Sequence, residues 1–187
     1  MRIVSGKFGG RRLSAVPGMA TRPTTDKVKE ALFNIIGPYF DGGNSLDLFG
    51  GSGGLSVEAV SRGIDQAVLI DRQYQAIKTI KKNIAVTKHP ELFQVFKMDA
   101  VKALNVLAKK GFQFNLVFLD PPYAKQQIVK NMTAMAEKKL LADGALIVAE
   151  TDETAKLPLE DWDCFSFLKR QSYGITFLTI YRYKKEQ

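Results

Sequence analysis

One short segment combines residue types that could bind an amine group and orient it for reaction. Asp120-Pro121-Pro122-Tyr123 directly follows Asn115-Leu116-Val117-Phe118-Leu119, whose last four residues are apolar, as is typical of a buried strand. Two consecutive prolines fix φ and remove two N–H donors, so the Asp120 carboxylate and the Pro121 carbonyl are held as acceptors. Two acceptors that bind both N–H bonds of a nucleobase amine would aim its lone pair at a methyl donor, while Tyr123 offers a flat face to an extruded base. A plain strand-ending turn is the alternative, but the context favours the site.

That context is a glycine-rich loop upstream, where a predicted strand gives way to a helix. It reads Asp47-Leu48-Phe49-Gly50-Gly51-Ser52-Gly53-Gly54, and Gly51 and Gly53 allow positive φ and close approach of a ligand. In an open α/β sheet, ligands bind beyond the carboxyl ends of the strands. Asp47 suits a ligand with a cationic portion, such as S-adenosylmethionine, and Ser56 breaks the glycine pattern of nicotinamide sites. A glycine turn without a ligand is the alternative interpretation.

Two further aspartates follow the next predicted strands. Asp71 stands 20 residues after Gly51, where a carboxylate can accept hydrogen bonds from both hydroxyls of a ribose. Nucleotide and S-adenosylmethionine sites share that spacing, and a surface aspartate is the alternative. Asp99 follows the third strand, where it can accept from an adenine amine, cap the next helix, or do both.

Alternating strands and helices must position these groups. Apolar strands separated by helical segments predict a parallel sheet covered on both faces, an α/β fold of the Rossmann-like type. The strands are expected at 45–49, 67–70, 93–97, 116–119 and 145–149, and the helices at 54–62, 74–86, 101–109 and 126–140. The segments 165–171 and 176–183 predict a C-terminal antiparallel hairpin at the sheet edge.

The first 40 residues predict a small β-hairpin followed by a helix. Strands are expected at 2–5 and 11–15 around a glycine-rich turn, and the helix begins after Thr24 or Thr25 and ends at Gly37-Pro38. A single apolar stripe follows the helical period. Its members are Val28, Ala31, Leu32, Ile35 and Ile36.

Composition excludes several classes of protein. The chain has 187 residues, of which 45% are hydrophobic and 25% charged, as expected for one folded domain rather than a disordered chain. No apolar run approaches the roughly 18 residues of a membrane span. One cysteine and one histidine form neither a disulfide nor a thiolate–imidazole zinc site. The sequence therefore predicts a cytoplasmic protein with no membrane contact and no metal.

The positive charge is concentrated at the two ends of the chain. Residues 1–30 hold seven basic and two acidic side chains, and residues 169–187 hold five basic and one acidic, whereas the formal net charge of the whole chain is +8. The middle is therefore close to neutral. Basic termini around a neutral middle favour a polyanion as partner, because phosphate contacts provide most of the affinity for nucleic acid. A solvated basic surface is the alternative.

These residues resemble class I S-adenosylmethionine-dependent methyltransferases that modify exocyclic amines. More closely, the chain is similar to the RsmD family, bacterial enzymes that methylate the guanine N2 amine in small-subunit (16S) ribosomal RNA. The segment Arg22-Pro23-Thr24-Thr25-Asp26-Lys27-Val28-Lys29-Glu30-Ala31-Leu32-Phe33-Asn34 narrows the resemblance to that family. Its other parts are 2–6, Gly10-Arg11, 47–53, Glu58-Ala59, 120–123 and the final hairpin.

The resemblance implies a role for each matching residue. Cofactor contacts are expected at Asp47, Gly51, Gly53, Asp71 and Asp99, with Arg22 and Thr24 near the methionine end of S-adenosylmethionine. The amine site is expected at Asp120, Pro121, Pro122 and Tyr123. Two departures concern the loop: Gly50 stands where relatives are expected to have alanine, and Ser56 where glycine is common.

The resulting expectation is an S-adenosylmethionine-dependent rRNA (guanine-N2)-methyltransferase. Residues 1–40 would be an RNA-binding extension of the same domain, and 41–187 the catalytic part. The partner would be 16S rRNA or the assembling 30S particle, and a monomer is favoured. The alternatives are a DNA adenine-N6 methyltransferase, for whose target-recognition domain the chain leaves no room, and a non-catalytic nucleic-acid-binding module.

Overall fold

The structure is a computed structural model that describes residues 1–18, 24–122 and 127–185. One sheet holds the strands β1 (Asn44–Asp47), β2 (Gln66–Asp71), β3 (Phe93–Lys97), β4 (Phe114–Leu119), β5 (Leu141–Thr151), β6 (Phe165–Tyr173) and β7 (Thr176–Tyr183). The α-helices are α1 (Asp26–Ile36), α2 (Gly54–Ser61), α3 (Tyr74–Thr87), α4 (Ala100–Lys109) and α5 (Ile128–Glu137).

The strands lie in the order β3-β2-β1-β4-β5-β7-β6. The first five are parallel to their neighbours, whereas β7 pairs antiparallel with both β5 and β6. The Rossmann-like fold with a C-terminal antiparallel hairpin is thereby confirmed. The order itself was not predicted: β1 and β4 are neighbours, and the last strand of the chain lies inside the sheet, between β5 and the edge strand β6.

Helices cover both faces of the sheet, as the apolar strands predicted. One face packs against α4 and α5 through residues such as Leu104 and Met132. The other packs against α1, α2 and α3 through residues such as Phe33, Val57 and Ile80. Successive strand residues alternate between these two cores, so that Leu46 and Leu48 belong to the first core while Phe118 and Val148 belong to the second.

From residue 44 onward, most element boundaries lie within two residues of the sequence-based expectation, and the larger differences are at α5 and β5. Helix α5 ends at Glu137, before the predicted residue 140, because Leu140 turns back to donate its N–H to the Met135 carbonyl (2.9 Å). Strand β5 then begins at once and reaches Thr151, so it is longer than the predicted 145–149. The predicted start of the helix, residue 126, lies outside the described residues.

The N-terminal hairpin forms less regular strand pairing than predicted. Its strands reduce to one antiparallel bridge between Arg2 and Arg12. The reason is competition for backbone donors, because the N–H groups of Val4 and Ser5 bind the Glu58 carboxylate (2.8 and 3.0 Å) instead of a facing strand. The segment nevertheless packs tightly, since Ile3, Phe8 and Leu13 are buried in the same core as α1, α2 and α3.

Helix α1 begins as predicted, with Thr25 as its N-cap accepting from the Val28 N–H (3.3 Å). Among the described residues, no helix combines the length and the hydropathy needed to cross a membrane.

Candidate active site

One cleft at the carboxyl edge of the sheet brings together several of the residues singled out in the sequence. It is lined by Thr24, Asp47, Gly51 and Asp120, which are far apart in the chain. The other lining residues are Met1, Ala15, Val16, Lys29, Phe49, Gly50, Ser52, Gly54 and Leu55. Asp120 therefore lies across the same cleft as the glycine turn, which the proposed amine chemistry requires.

The glycine turn has the geometry that its residues suggested. Gly51 and Gly53 have φ values of +56° and +78°, which side chains with a Cβ rarely adopt. The N–H of Gly51 donates to Asp71 Oδ2 (3.0 Å), so the aspartate that ends β2 is tied to the turn that follows β1. Its Oδ1 accepts from the Gln73 N–H (2.8 Å). Each oxygen has a further lone pair, which leaves Asp71 able to accept from ribose hydroxyls.

Gly50 shows how the chain accommodates its departure from the family pattern. A Cβ placed there would lie 2.9 Å from Ile80 Cδ1. The tip of Ile80 therefore occupies the space that a small side chain would fill, and the smaller residue is matched by packing from α3.

Asp47 is a buried carboxylate at the end of β1. It is 3% exposed, and its Oδ1 accepts the N–H of Phe49 (3.3 Å). Burial raises the pKa of Asp47 to about 7, and the charges of Asp71 and Glu150 act in the same direction. A cation placed in the cleft would relieve this cost, since an opposite charge stabilises the ionised carboxylate.

Asp99 lines a second pocket, and Phe49 lines both this pocket and the cleft. The pocket lining is mainly apolar, and it includes Pro122 of the Asp-Pro-Pro segment. The other lining residues are Leu48, Phe49, Arg72, Met98, Ala100, Val101, Gln127 and Asn131. Asp99 caps α4 by accepting from the Lys102 N–H (3.0 Å), so the capping interpretation holds.

The Asp-Pro-Pro segment leaves the sheet directly after β4. Asp120 is half-buried, Pro121 is buried and Pro122 is exposed. Burial raises the pKa of Asp120 well above its usual value, and the nearby charges of Glu150 and Asp47 raise it further. Tyr123 and Arg22, to which base stacking and a cofactor contact were assigned, lie outside the described residues.

Sequence reasoning missed Glu150, the penultimate residue of β5, whose charge acts on Asp120. It is 5% exposed, and its Oε2 accepts a hydrogen bond from the Thr24 hydroxyl (3.0 Å). Thr24 thus bridges the start of α1 and the edge of the sheet. A usable signal was present: Glu150 directly follows an apolar run, as do Asp71 and Asp120.

A second missed feature lies behind the cleft, where Glu58 on α2 is completely buried. Its carboxylate accepts from Arg62 Nε (2.8 Å) and lies 3.4 Å from Lys29 Nζ, in addition to its two backbone donors. Lys29 Nζ also donates to the Arg2 carbonyl. Burial lowers the pKa of Lys29, while Glu58 and Asp26 act in the opposite direction. This set, the Glu58 cluster, joins the N-terminal segment to α1 and α2.

The sheet has this strand order, a glycine turn directly after β1 and, within the described residues, one strand that runs opposite to the others. This is the fold of class I S-adenosylmethionine-dependent methyltransferases. The site fits that class. Buried carboxylates face the cleft where the cationic end of the cofactor would lie, and an apolar pocket follows where its adenine would lie.

Comparison with known proteins identifies the family. The family described as "Conserved hypothetical protein 95" matches residues 1–182. The chain is 46% identical to YlbH of Bacillus subtilis (strain 168) over 182 residues, which are 97% of this chain and 98% of that protein. It is 35% identical to "Ribosomal RNA small subunit methyltransferase D" of Escherichia coli (strain K12) over 158 residues, 84% of this chain and 78% of that protein. The chain belongs to this family, the RsmD family.

The solved structures agree with the fold. YhhF of Escherichia coli matches with a TM-score of 0.82 at 33% identity, over 100% of this chain and 99% of that one. The predicted family and fold are thereby confirmed, whereas the roles assigned to single residues stay predictions.

Proposed function

We propose that the protein transfers a methyl group from S-adenosylmethionine to the exocyclic N2 amine of a guanine in small-subunit (16S) ribosomal RNA. The observation that carries this proposal is the position of Asp120, whose carboxylate lines the same cleft as the glycine turn and stands at the start of a proline-stiffened segment. The Escherichia coli relative is named as a methyltransferase of that RNA, which supports the substrate class.

Different residues of the cleft bind different parts of the cofactor. Asp47, Asp120 and Glu150 supply negative charge near the sulfonium and ammonium groups, and Gly51 and Gly53 let the backbone approach the methionine portion. Asp71 accepts from the ribose, and Asp99 lies beside the adenine pocket. When bound, S-adenosylmethionine supplies the methyl group on a positively charged sulfur.

The amine is held by acceptors that have little freedom. The Asp120 carboxylate and the Pro121 carbonyl bind its two N–H bonds, which turns the nitrogen lone pair out of conjugation with the ring. Tyr123 stacks on the extruded base. Catalysis then comes mainly from orientation and from the negative charge that faces the cation formed on the amine nitrogen.

The N-terminal extension, residues 1–40, is proposed to bind the RNA phosphates. Of its described basic side chains, Arg2, Lys7, Arg12 and Lys27 are exposed. Arg11 and Lys29 have structural tasks instead, since Arg11 Nη1 donates to the carbonyls of Val86 and Thr87 (2.9 and 2.8 Å) and Lys29 is buried. The charge available to RNA is therefore smaller than the sequence suggested. An rRNA substrate, free or in an assembling 30S particle, would place the protein in the cytoplasm, acting there as a monomer.

The test is transfer of tritiated methyl groups from S-adenosylmethionine, with small ribosomal subunits, protein-free 16S rRNA and duplex DNA compared side by side. The RNA must come from cells that lack this protein, so that the target is unmodified. We expect labelling of one RNA form and recovery of the label as N2-methylguanosine after digestion. Labelling of DNA alone, or binding of S-adenosylmethionine without transfer to any substrate, would refute the proposal.

A further inference from the structure

Strand register places three carboxylates on one face of the sheet. Asp47 of β1 is aligned with Phe118 of β4, and Phe118 with Val148 of β5. Asp120 and Glu150 lie two residues beyond Phe118 and Val148. Because side chains alternate with a period of two, all three carboxylates project to the side of α1, where Thr24 lies.

Opposite charge is scarce around these carboxylates. Within the described residues, none of the three forms an ion pair with a lysine or arginine. Lys29 is the basic side chain that lines the cleft, but its ammonium group is bound to Glu58 and to the Arg2 carbonyl. Burial raises the pKa of Glu150, and the hydrogen bond from Thr24 lowers it. In its ionised form Glu150 is a negative charge that raises the pKa of Asp120, with Asp47 as a second one from β1.

We propose that Glu150 is a positioning residue that acts through Asp120: its charge, held in place by Thr24, keeps the Asp120 carboxylate basic enough to take the proton that the methylated amine loses. This inference rests on the proposed function. It goes beyond it because the proposed function uses Glu150 only as a negative charge near the cofactor.

The proton balance of the transfer shows why such a base is useful. The amine lone pair forms the new N–C bond, and the electrons of the broken C–S bond stay on sulfur, which becomes a neutral thioether. The amine nitrogen is then positively charged and must lose one proton. That proton passes to an Asp120 oxygen, the N–H electron pair returns to nitrogen, and the acid gives its proton to water once the site opens. A more basic carboxylate takes the proton more readily.

The first experiment does not need RNA. The carboxyl carbons of aspartate are labelled with ¹³C, and their NMR shifts are followed against pH in the protein alone, with Asp120 assigned by its loss in Asp120→Asn. In Glu150→Gln, whose amide oxygen can still accept from Thr24, we expect the Asp120 midpoint to fall by about one pH unit. Glu153→Gln, an exposed change three residues further on, is the matched control and should leave the midpoint in place.

A second variant separates charge from packing. Glu150→Asp keeps the charge, so its Asp120 midpoint should stay closer to that of the wild type than to that of Glu150→Gln. An unshifted midpoint in Glu150→Gln, or an equal shift in both variants, would overturn the inference.

The second experiment is single-turnover methylation of the RNA against pH. In Glu150→Gln we expect the acidic limb of the rate profile to move down by about one pH unit and the plateau to fall roughly 3- to 10-fold, because a weaker base accepts the proton less well. A lower plateau with an unmoved limb would mean that Glu150 only supports the structure. A wild-type protein that methylates no RNA would refute the proposed function, and the titration would still decide whether Glu150 acts on Asp120.

Discussion

Two groups of charged side chains lie near the cleft, and they differ in whether their charges have partners of opposite sign. In the Glu58 cluster, one carboxylate is matched by Lys29, Arg62 and two backbone N–H groups. In the acidic group of Asp47, Asp120 and Glu150, like charges face one another without a lysine or arginine partner within the described residues. Lys29 binds Glu58 and also lines the cleft.

The difference separates what stabilises the fold from what serves the reaction. A buried charge that has its partners holds elements together, and removing one partner is costly. A buried charge that repels its neighbours costs folding free energy, and it persists where a ligand supplies the opposite charge. The acidic group therefore marks the site, whereas the Glu58 cluster attaches the N-terminal segment to it.

Breaking the Glu58 cluster should give the largest loss of stability. Glu58→Gln leaves the Lys29 and Arg62 charges buried without a counter-charge, so we expect the free energy of unfolding to fall by about 3–5 kcal/mol. Urea denaturation followed by circular dichroism measures it. Glu30→Gln, an exposed change on α1, should stay within about 0.5 kcal/mol of wild type. A Glu58→Gln protein as stable as Glu30→Gln would contradict the structural role.

Removing Asp120 should affect the reaction and spare the fold. We expect Asp120→Ala to lower single-turnover methyl transfer by at least about 10²–10³-fold, because the amine loses an acceptor that orients it. The free energy of unfolding should stay the same or rise, since a repulsive buried charge is gone. Calorimetry should show little change in S-adenosylmethionine affinity. Near-normal activity, with Asp41→Asn as the exposed control, would remove Asp120 from the mechanism.

Asp47 should make stability depend on pH. The pKa of Asp47 is raised to about 7 in the folded protein, whereas an unfolded aspartate titrates near 4. The folded state therefore holds a proton that the unfolded state loses, and the contribution of Asp47 to stability is present below about pH 4 and is lost as the pH rises through about 7. Relative to Asp47→Asn, the wild-type free energy of unfolding should fall by roughly 1–3 kcal/mol between pH 4 and 8. Parallel pH curves for the two proteins would contradict the raised pKa.

Removing the hydrogen bond between Thr24 and Glu150, which links the start of α1 to the acidic group, should have the smallest effect on stability. Thr24→Val removes the hydroxyl donor to Glu150, so we expect a loss of about 1 kcal/mol in the free energy of unfolding. A double-mutant cycle supplies the control, because the same change should cost little more in a Glu150→Ala background. Full additivity of the two losses would show that the hydrogen bond contributes nothing.

Much of the site could be predicted from the sequence because the patterns that indicate it involve residues close together in the chain. Asp71 and Asp120 each follow an apolar run, and Asp47 precedes the glycine-rich turn. The glycines at 51 and 53 allow the positive φ that the turn adopts. Glu58 gave no such signal. Its role depends on Lys29, 29 residues earlier, and on the backbone of Val4 and Ser5, which no helical or strand period connects to it.

The same limit explains the two misjudged features. The N-terminal strands were overestimated because the residues that take their backbone donors, Glu58 and Asn83, lie on helices. The charge of the N-terminus was taken to favour a polyanion as partner, although Arg11 and Lys29 are used inside the fold. Charge in a sequence can be counted, but its partners depend on the packing of distant segments.

By itself, the sequence determined the kinds of most elements, their approximate positions, the glycine turn and the acceptors near the strand ends, because apolar period and backbone restriction act between near neighbours. Only the tertiary structure decided that β1, β4 and β5 lie side by side. That order brings Asp47, Asp120 and Glu150 onto one face with Thr24 above them. Strand order depends on the summed packing of the whole sheet, so no local pattern encodes the meeting of these three carboxylates.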